Sequence, residues 1–509
     1  MTIPIPMLDL MFFLTETRDN PRHVGALLVF ERPRSSRTDF VGRVVDSFRK
    51  AVPVAPFNRV PLFRKAGLPE WQEAESLDME WHVQRLALPA PGSASELHAL
   101  VAKLHEPMLE RDRPGWRIFV IDGLERDRFA VFIKVHHALV DGESGMELLQ
   151  RSLSHSPRDR RIRSIVATSL PVPRAQASAS QPPEPEDERS VIARKAVAIG
   201  LGALRLAEET FAGFRGPSEG EARSFAAPLT PMNEPIRSER SVSHVMLPLD
   251  AMKDVARTWG ATLNDVALCV LDAAMNRYLR GMGRVPSRPL VAICPVSLQD
   301  RAARQASTQV SMFWTPLGAP AATLAQRMRA VMKNTVAAKK RIRSLPRDAA
   351  YAYSVLSFAM GETLAHVPRH PQDFLLASNV LVSNVRGPDE PLYLGGARLE
   401  ALCPVSTLIS GMGLNITFMS YAGQVLVGYT ANAAALPGIE RLARFTQDAF
   451  GALKRQASRP ERDVSPRPVR RVVSRATRKD ATSRPPARRS GQAGKKAGKK
   501  AGKKGRVDG

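Results

Sequence analysis

The residues best suited to chemistry in this chain are two adjacent histidines followed closely by Asp-Gly: His136-His137-Ala138-Leu139-Val140-Asp141-Gly142. An HHxxxDG match arises by chance on the order of once per thousand chains of this kind. Three chemistries could use it. A metal centre needs His, His and Asp to converge with a further ligand, but adjacent histidines on a strand face opposite ways and no other histidine cluster completes the set. A serine nucleophile needs a G-x-S-x-G elbow, whereas Gly142-Glu143-Ser144-Gly145 brings the second glycine one place early. A histidine acting alone as general base needs neither, because an imidazole with a pKa of about 6.5 takes and returns a proton at neutral pH. The structural alternative is a pair of hydrogen-bonded core histidines ahead of a plain Asp-Gly turn.

The flanking pattern says where such a group would sit. Residues 116–121 and 129–135 are apolar runs around a polar stretch at 122–128, which predicts a hairpin ending at the histidines. Met146, Leu149 and Leu153 then share a helical face, so the motif lies at a strand-to-helix junction. Upstream, HVGALLVF at 23–30 reads as a buried strand followed by a helix. In the second half SVSHVMLPL predicts a strand, Asp250 starts a helix, and TLNDVALCVLDAAMNRYLR predicts a longer one. Leu263, Val266, Val270, Ala274 and Tyr278 line one face of that helix, Asp265 complements its positive end, and Asn264 lies in its first turn. LNITFMSYAGQVLVGYT predicts two strands turning at Ala422 and Gly423, and SNVRGP ends another strand at Gly387 and Pro388. Strands alternate with helices in both halves, which predicts an α/β fold.

Composition bounds the rest. The 509 residues are 44 % hydrophobic and 24 % charged, an ordinary globular balance that excludes collagen, coiled coil and a wholly disordered chain. The formal charge of +25 is unevenly placed: from Lys454 onward 20 basic and 4 acidic residues give +16, leaving +9 for the rest. This Lys/Arg-rich tail, 454–509, is expected to be disordered and either to bind anionic surfaces nonspecifically or merely to solubilise the chain, and not to read nucleic-acid sequence, since it has no stacking aromatics or reading motif. Residues 156–189 read as an exposed linker, rich in Pro, Ser, Ala and mixed charge. Residues 190–215 read as an amphipathic helix, with Ile192, Ala196, Ile199 and Leu206 apolar and Arg194, Lys195 and Arg205 basic, that packs on a neighbouring domain or touches a membrane surface. The remaining division places one lobe at 1–155 and a second within 190–453. Cys269, Cys294 and Cys403 are scattered without metal-ligand spacing, which predicts a reducing compartment. No basic residue precedes Arg18 and Asp9 interrupts the first apolar run, so no secretory signal is expected. The most apolar stretch, 196–204, falls well short of the roughly 20 residues needed to span a bilayer.

With these residues in view, the chain resembles the bacterial wax ester synthase/diacylglycerol acyltransferases, within the larger group that shares the chloramphenicol acetyltransferase fold and HHxxxDG. The likeness runs from about residue 4 to 450: MLDLMFFLTETRDNPRHVGALLVF, LPAPG at 88–92, RDRPGWRIFVIDGL before the histidines, Asn264-Asp265, CPVSLQD, SNVRGPDEPLYLGGARL and PVSTLISGMGLNITFMSY. It implies two chloramphenicol acetyltransferase-like α/β lobes with an active-site channel between them. It implies His137 as general base, His136 in support, Asp141 holding the shape of the junction and Gly142 permitting its tight backbone. Asn264 and Asp265 would bind substrate, Asn264 offering a hydrogen bond to the developing oxyanion. The implied reaction moves a long-chain acyl group from acyl-CoA, a co-substrate rather than a resident cofactor, to diacylglycerol or a fatty alcohol. No metal is implied. The implied location is cytoplasmic, against the anionic inner membrane face or lipid droplets. A peptide-forming condensation domain and a noncatalytic scaffold binding anionic surfaces are the competing readings. Departures from the family pattern fall at Gly115, in Pro-Gly-Trp for Pro-Leu-Trp, at Gln299 after Pro-Val-Ser, at Ser307-Thr308, and at Arg386 in SNVRGP. None of them is expected to touch the general-base histidine, and they bear instead on acceptor preference and activity.

Overall fold

The strand that ends at the histidines lies inside a six-stranded sheet. The computed structural model describes residues 2–33, 39–64, 67–170, 196–208, 227–297, 310–365 and 376–458, except 198 and 377. Two short strands, β1 (Ile3–Pro4) and β3 (Arg59–Leu62), flank β4 (Glu70–Glu73) in a small antiparallel sheet. The first large sheet uses β2 (His23–Glu31), β5 (Val83–Ala87), β6 (Trp116–Leu124) and β7 (Arg128–His136). The second uses β8 (Arg240–Pro248), β9 (Val291–Ser297), β10 (Val310–Pro316) and β11 (Val380–Arg386). After these come β12 (Tyr393–Leu394), β13 (Ala397–Val405), β14 (Leu414–Tyr421) and β15 (Gln424–Asn432).

The first sheet has the order β12-β13-β2-β7-β6-β5 and the second β10-β9-β11-β14-β15-β8. The predicted hairpin is β6–β7, antiparallel with an irregularity between Ile121 and Leu124. From Phe129 to His136 every residue of β7 is buried, the mark of a strand covered on both faces. The β14–β15 hairpin turns at Ala422 and Gly423, both with positive φ, the geometry that matches the twist of paired strands.

The helices are α1 (Met7–Thr15), α2 (Phe40–Arg49), α3 (Met79–His82), α4 (Ala94–His105), α5 (Gly142–Ser152), α6 (Leu249–Trp259), α7 (Leu263–Gly281), α8 (Leu324–Arg343), α9 (Arg347–Ala365) and α10 (Glu440–Ala457). α5 buries Met146 and Leu149, with Leu153 buried at its end, as the helical spacing predicts. α7 buries Val266, Val270, Ala274 and Tyr278 in the core of the second sheet, and Leu263 packs against that core. A separate core surrounds the first sheet, and a small third one joins Leu10 and Phe13 of α1 to Trp71 of β4 and to Ala138 of the motif.

Three features depart from the linear reading. β12 and β13 follow β11 in the chain but complete the first sheet, with Val405 opposite Gly25 and Arg398 opposite Glu31, so the lobe read as 1–155 borrows strands from the C-terminal half. Part of the stretch read as an exposed linker is docked: Ile165 and Val166 are buried, and the Val54 N–H donates to the Val166 carbonyl at 2.9 Å. Two apolar residues in one short turn suffice to anchor it. α10 also runs to Ala457, past the start of the segment read as tail, because Leu453 is buried. Residues 171–195 and 459–509, with most of the linker and tail readings, lie outside the described residues, as do Gln299 and Ser307-Thr308. Within the predicted 190–215 helix, residues 199–208 are helical and lie close against α9, where a Cβ on Gly202 would sit 2.8 Å from the Tyr353 nitrogen.

Candidate active site

β7 ends and α5 begins within six residues, and the motif fills that gap. Asp141 is the N-cap of α5: its carboxylate accepts the Ser144 N–H at 2.8 Å, which satisfies a helix-start donor. Gly142 opens the helix against the other half of the molecule, since a Cβ there would meet Val385 of β11 at 3.3 Å. Both residues therefore shape the junction. Gly387, at the end of SNVRG, is more tightly crowded, with a Cβ 2.3 Å from the Ser420 carbonyl oxygen and 3.7 Å from Met146 Sδ of α5. The HHxxxDG and SNVRGP segments thus meet across the two sheets.

The two histidines have different surroundings. His136 is 3 % exposed and stacks on Phe13, with centroids 4.1 Å apart. Its Nδ1 accepts the Ala138 N–H at 3.2 Å, which leaves the proton on Nε2, facing Glu16 Oε1 at 3.6 Å. Burial pushes the Glu16 carboxyl up, but His136, the Arg22 N–H and Arg111 outweigh it and hold Glu16 below its ordinary value. His136 is consequently tied into the scaffold.

His137 is only half-buried. Its backbone N–H donates to the Arg22 carbonyl at 2.9 Å, and its ring stacks on Phe12 with centroids 4.2 Å apart and planes 22° apart. Stacking covers a ring face and Nδ1 is buried, which leaves Nε2 as the nitrogen to take a proton. Burial lowers the pKa of His137, with Asp141 pulling the other way. The imidazole is therefore neutral at neutral pH, the form a general base requires. Asp9 on α1 senses the same carboxylate: burial first, and then Asp141, pushes its pKa up to about 7.

Asn264 and Asp265 lie at the start of α7. Asp265 is consumed structurally: Oδ2 accepts from the Thr262 N–H at 2.9 Å and its hydroxyl at 2.7 Å, and Oδ1 accepts from the Thr335 hydroxyl at 2.7 Å. Asn264 is half-buried and makes no side-chain hydrogen bond among the described residues. The structure brings His136, His137, Asp141 and Gly142 together and records no contact from Asn264 or Asp265 to them. One departure does reach a histidine: the Gly115 carbonyl accepts the His136 N–H at 2.7 Å, and a Cβ there would lie 3.0 Å from His136 Cβ. That contact is with His136 and not His137, and it arises because β6 enters the sheet directly beside the end of β7.

Phe12, Phe13, Glu16 and Arg22 were not singled out from sequence. The one signal for the phenylalanines is α1 itself, MLDLMFFLT, apolar on nearly every side and hence a helix to be buried. Among the described residues, no group of three His, Cys, Asp or Glu converges as metal ligands would.

The model of the wax ester synthase/diacylglycerol acyltransferase catalytic domain matches residues 6–267, and that of the WS/DGAT C-terminal domain matches residues 307–454. A probable diacylglycerol O-acyltransferase of Mycobacterium tuberculosis, Tgs4, is 32 % identical over 471 residues, spanning 88 % of this chain and 96 % of that protein. The O-acyltransferase WSD of Acinetobacter baylyi is 31 % identical over 443 residues, 86 % of this chain and 94 % of its own. The solved wax ester synthase/diacylglycerol acyltransferase from Marinobacter aquaeolei VT8 aligns with a TM-score of 0.70 at 29 % identity, over 89 % of this chain and 99 % of that one. The first condensation domain of the calcium-dependent antibiotic synthetase aligns at 0.56 and 15 % identity, over 90 % and 98 %, a likeness of fold alone. The two-lobed α/β architecture expected from the resemblance is the one these structures share. The chain belongs to the wax ester synthase/diacylglycerol acyltransferase family and is an acyltransferase of that type.

Proposed function

We propose that this protein transfers a long-chain acyl group from acyl-CoA to the free hydroxyl of diacylglycerol, forming triacylglycerol, with His137 as general base. The hydroxyl oxygen attacks the thioester carbonyl carbon while the imidazole takes its proton. The tetrahedral intermediate then collapses, the carbon–sulfur bond breaks, and the proton passes from His137 to the departing thiolate, giving ester and CoA. Asn264, whose side chain makes no hydrogen bond among the described residues, is the candidate donor to the oxyanion. The observation that carries this reading is the half-buried His137 ring, held neutral by burial and fixed by Phe12 and the Arg22 carbonyl.

Diacylglycerol is favoured as acceptor by the name of the Mycobacterium tuberculosis relative. A fatty alcohol, giving a wax ester, is the second reading, since the Marinobacter protein is named for both activities. Palmitoyl-CoA offered diolein and hexadecanol side by side separates them. Predominant triacylglycerol supports the first, predominant wax ester reverses the acceptor, and no CoA release from either overturns both.

Acceptors this apolar reside in membranes or lipid droplets, so the protein works at their cytoplasmic surface. No helix among the described residues is long and apolar enough to cross a membrane. Val197, Leu201 and Leu204 recur at helical spacing and are exposed, which suits contact with lipid. Basic residues close to an anionic leaflet add up to about 1 kcal/mol each, screened by salt. Deleting residues 459–509 is expected to weaken binding to phosphatidylserine vesicles while sparing turnover of detergent-dispersed substrate, and unchanged vesicle binding rejects the role of the tail.

A further inference from the structure

The backbone of His137 hangs on residue 22, and residue 22 is held by the other half of the chain. The Arg22 carbonyl accepts the His137 N–H at 2.9 Å. The Arg22 side chain is 0 % exposed; its Nη1 donates to the Leu408 carbonyl at 2.5 Å, and its Nη2 donates to Glu362 Oε2 at 2.6 Å and to the Ser410 hydroxyl at 3.3 Å. The other Glu362 oxygen accepts the Ser410 N–H at 3.2 Å, which closes the cluster. The residues just before Arg22 are held in the same way. The Thr407 hydroxyl donates to the Pro21 carbonyl at 3.1 Å, and Arg240 Nη2 donates to the Asp19 carbonyl at 3.0 Å. Glu362 belongs to α9, Arg240 to β8, and Thr407, Leu408 and Ser410 to the loop between β13 and β14.

A guanidinium without access to water depends on its carboxylate, and removing one partner leaves the other buried and uncompensated. Arg22 would then have to move toward water, and its carbonyl, the acceptor for His137, would move with it. We propose that Glu362 is a positioning residue that sets the geometry of His137 through Arg22, so that the second half of the chain aligns the base carried by the first. This rests on the reading of His137 as the base. Misplacing a catalytic group by about 1 Å costs on the order of 100-fold in rate, so the effect falls on turnover rather than on substrate affinity.

The test is CoA release by the full-length protein, comparing wild type with Glu362→Gln, Glu362→Asp, Arg22→Lys and His137→Ala, each below its own unfolding temperature. Glu362→Gln is expected to lower kcat on the order of 10- to 100-fold while KM for acyl-CoA stays within about twofold. Glu362→Asp, which restores the charge, is expected to recover part of the loss. Arg22→Lys keeps the charge but not the two-armed grip, and its lowered kcat tests the same link should Glu362→Gln fail to fold. A lower melting temperature with unchanged kcat in the folded variants, or a raised KM alone, overturns the proposal. A fully active His137→Ala instead removes the base itself, a result independent of Glu362.

Discussion

At the start of α5, Asp141 accepts the Ser144 N–H, and its charge still reaches both His137 and Asp9. At the start of α7, Asp265 closes a capping box with Thr262 and gives its second oxygen to Thr335 on α8. Both are helix N-termini marked by an acidic residue, and both read from sequence as parts of the site. The difference lies in what surrounds the carboxylate. Asp265 meets only donors that join two helices, whereas Asp141 stands behind an imidazole stacked on Phe12. A capping signal locates a helix start, and only the neighbouring groups make that start chemical.

The largest expected effect breaks the comparison on the α5 side. His137→Ala should lower kcat/KM on the order of 10² to 10⁴-fold in a CoA-release assay, and near-wild-type turnover would make the two helix starts equivalent. On the α7 side, Asn264→Ala should lower kcat on the order of 10² to 10³-fold if its amide meets the oxyanion, and Asn264→Asp should not restore it, because a carboxylate repels that charge. An unchanged kcat leaves α7 with a purely structural start. Asp265→Ala sharpens the contrast: urea unfolding should show a loss of about 2 kcal/mol from the missing cap and the stranded Thr335 hydroxyl, with turnover of the folded variant little changed. A selective loss of turnover would return Asp265 to substrate binding.

The smallest effect concerns Asp9. Its native carboxyl holds a proton up to about pH 7, whereas the unfolded chain releases it around the ordinary aspartate value of 3.8. The native state therefore loses stability as pH rises between those values. Asp9→Asn mimics the protonated form, so its melting temperature should gain on wild type through that window and keep the gain above it. A difference that does not vary with pH would show that Asp141 and burial leave Asp9 unperturbed.

Local pattern made the β6–β7 and β14–β15 hairpins, α5 and α7 legible, because each element announces itself by spacing and by its ends. The pairing of β13 with β2 was not legible, since register between distant strands leaves no local trace. Neither was the Arg22–Glu362 pair, two charged residues that in sequence look solvent-exposed. The histidine pair and its Asp-Gly stood out by type and spacing. The inequality of the two histidines came from the environment: His136 with Glu16 and the Ala138 N–H, His137 with Phe12 and the Arg22 carbonyl. Asp265 was readable as a helix-start charge, but its tie to Thr335 required α8 to be in place.

The most direct test of the central claim is the pH dependence of CoA release. Burial lowers the pKa of His137, so kcat/KM for acyl-CoA should fall with unit slope on the acid side, with a midpoint below the ordinary 6.5. The residual rate of His137→Ala should lack that limb. An acid limb that survives unchanged in His137→Ala would contradict the assignment of this imidazole as the base.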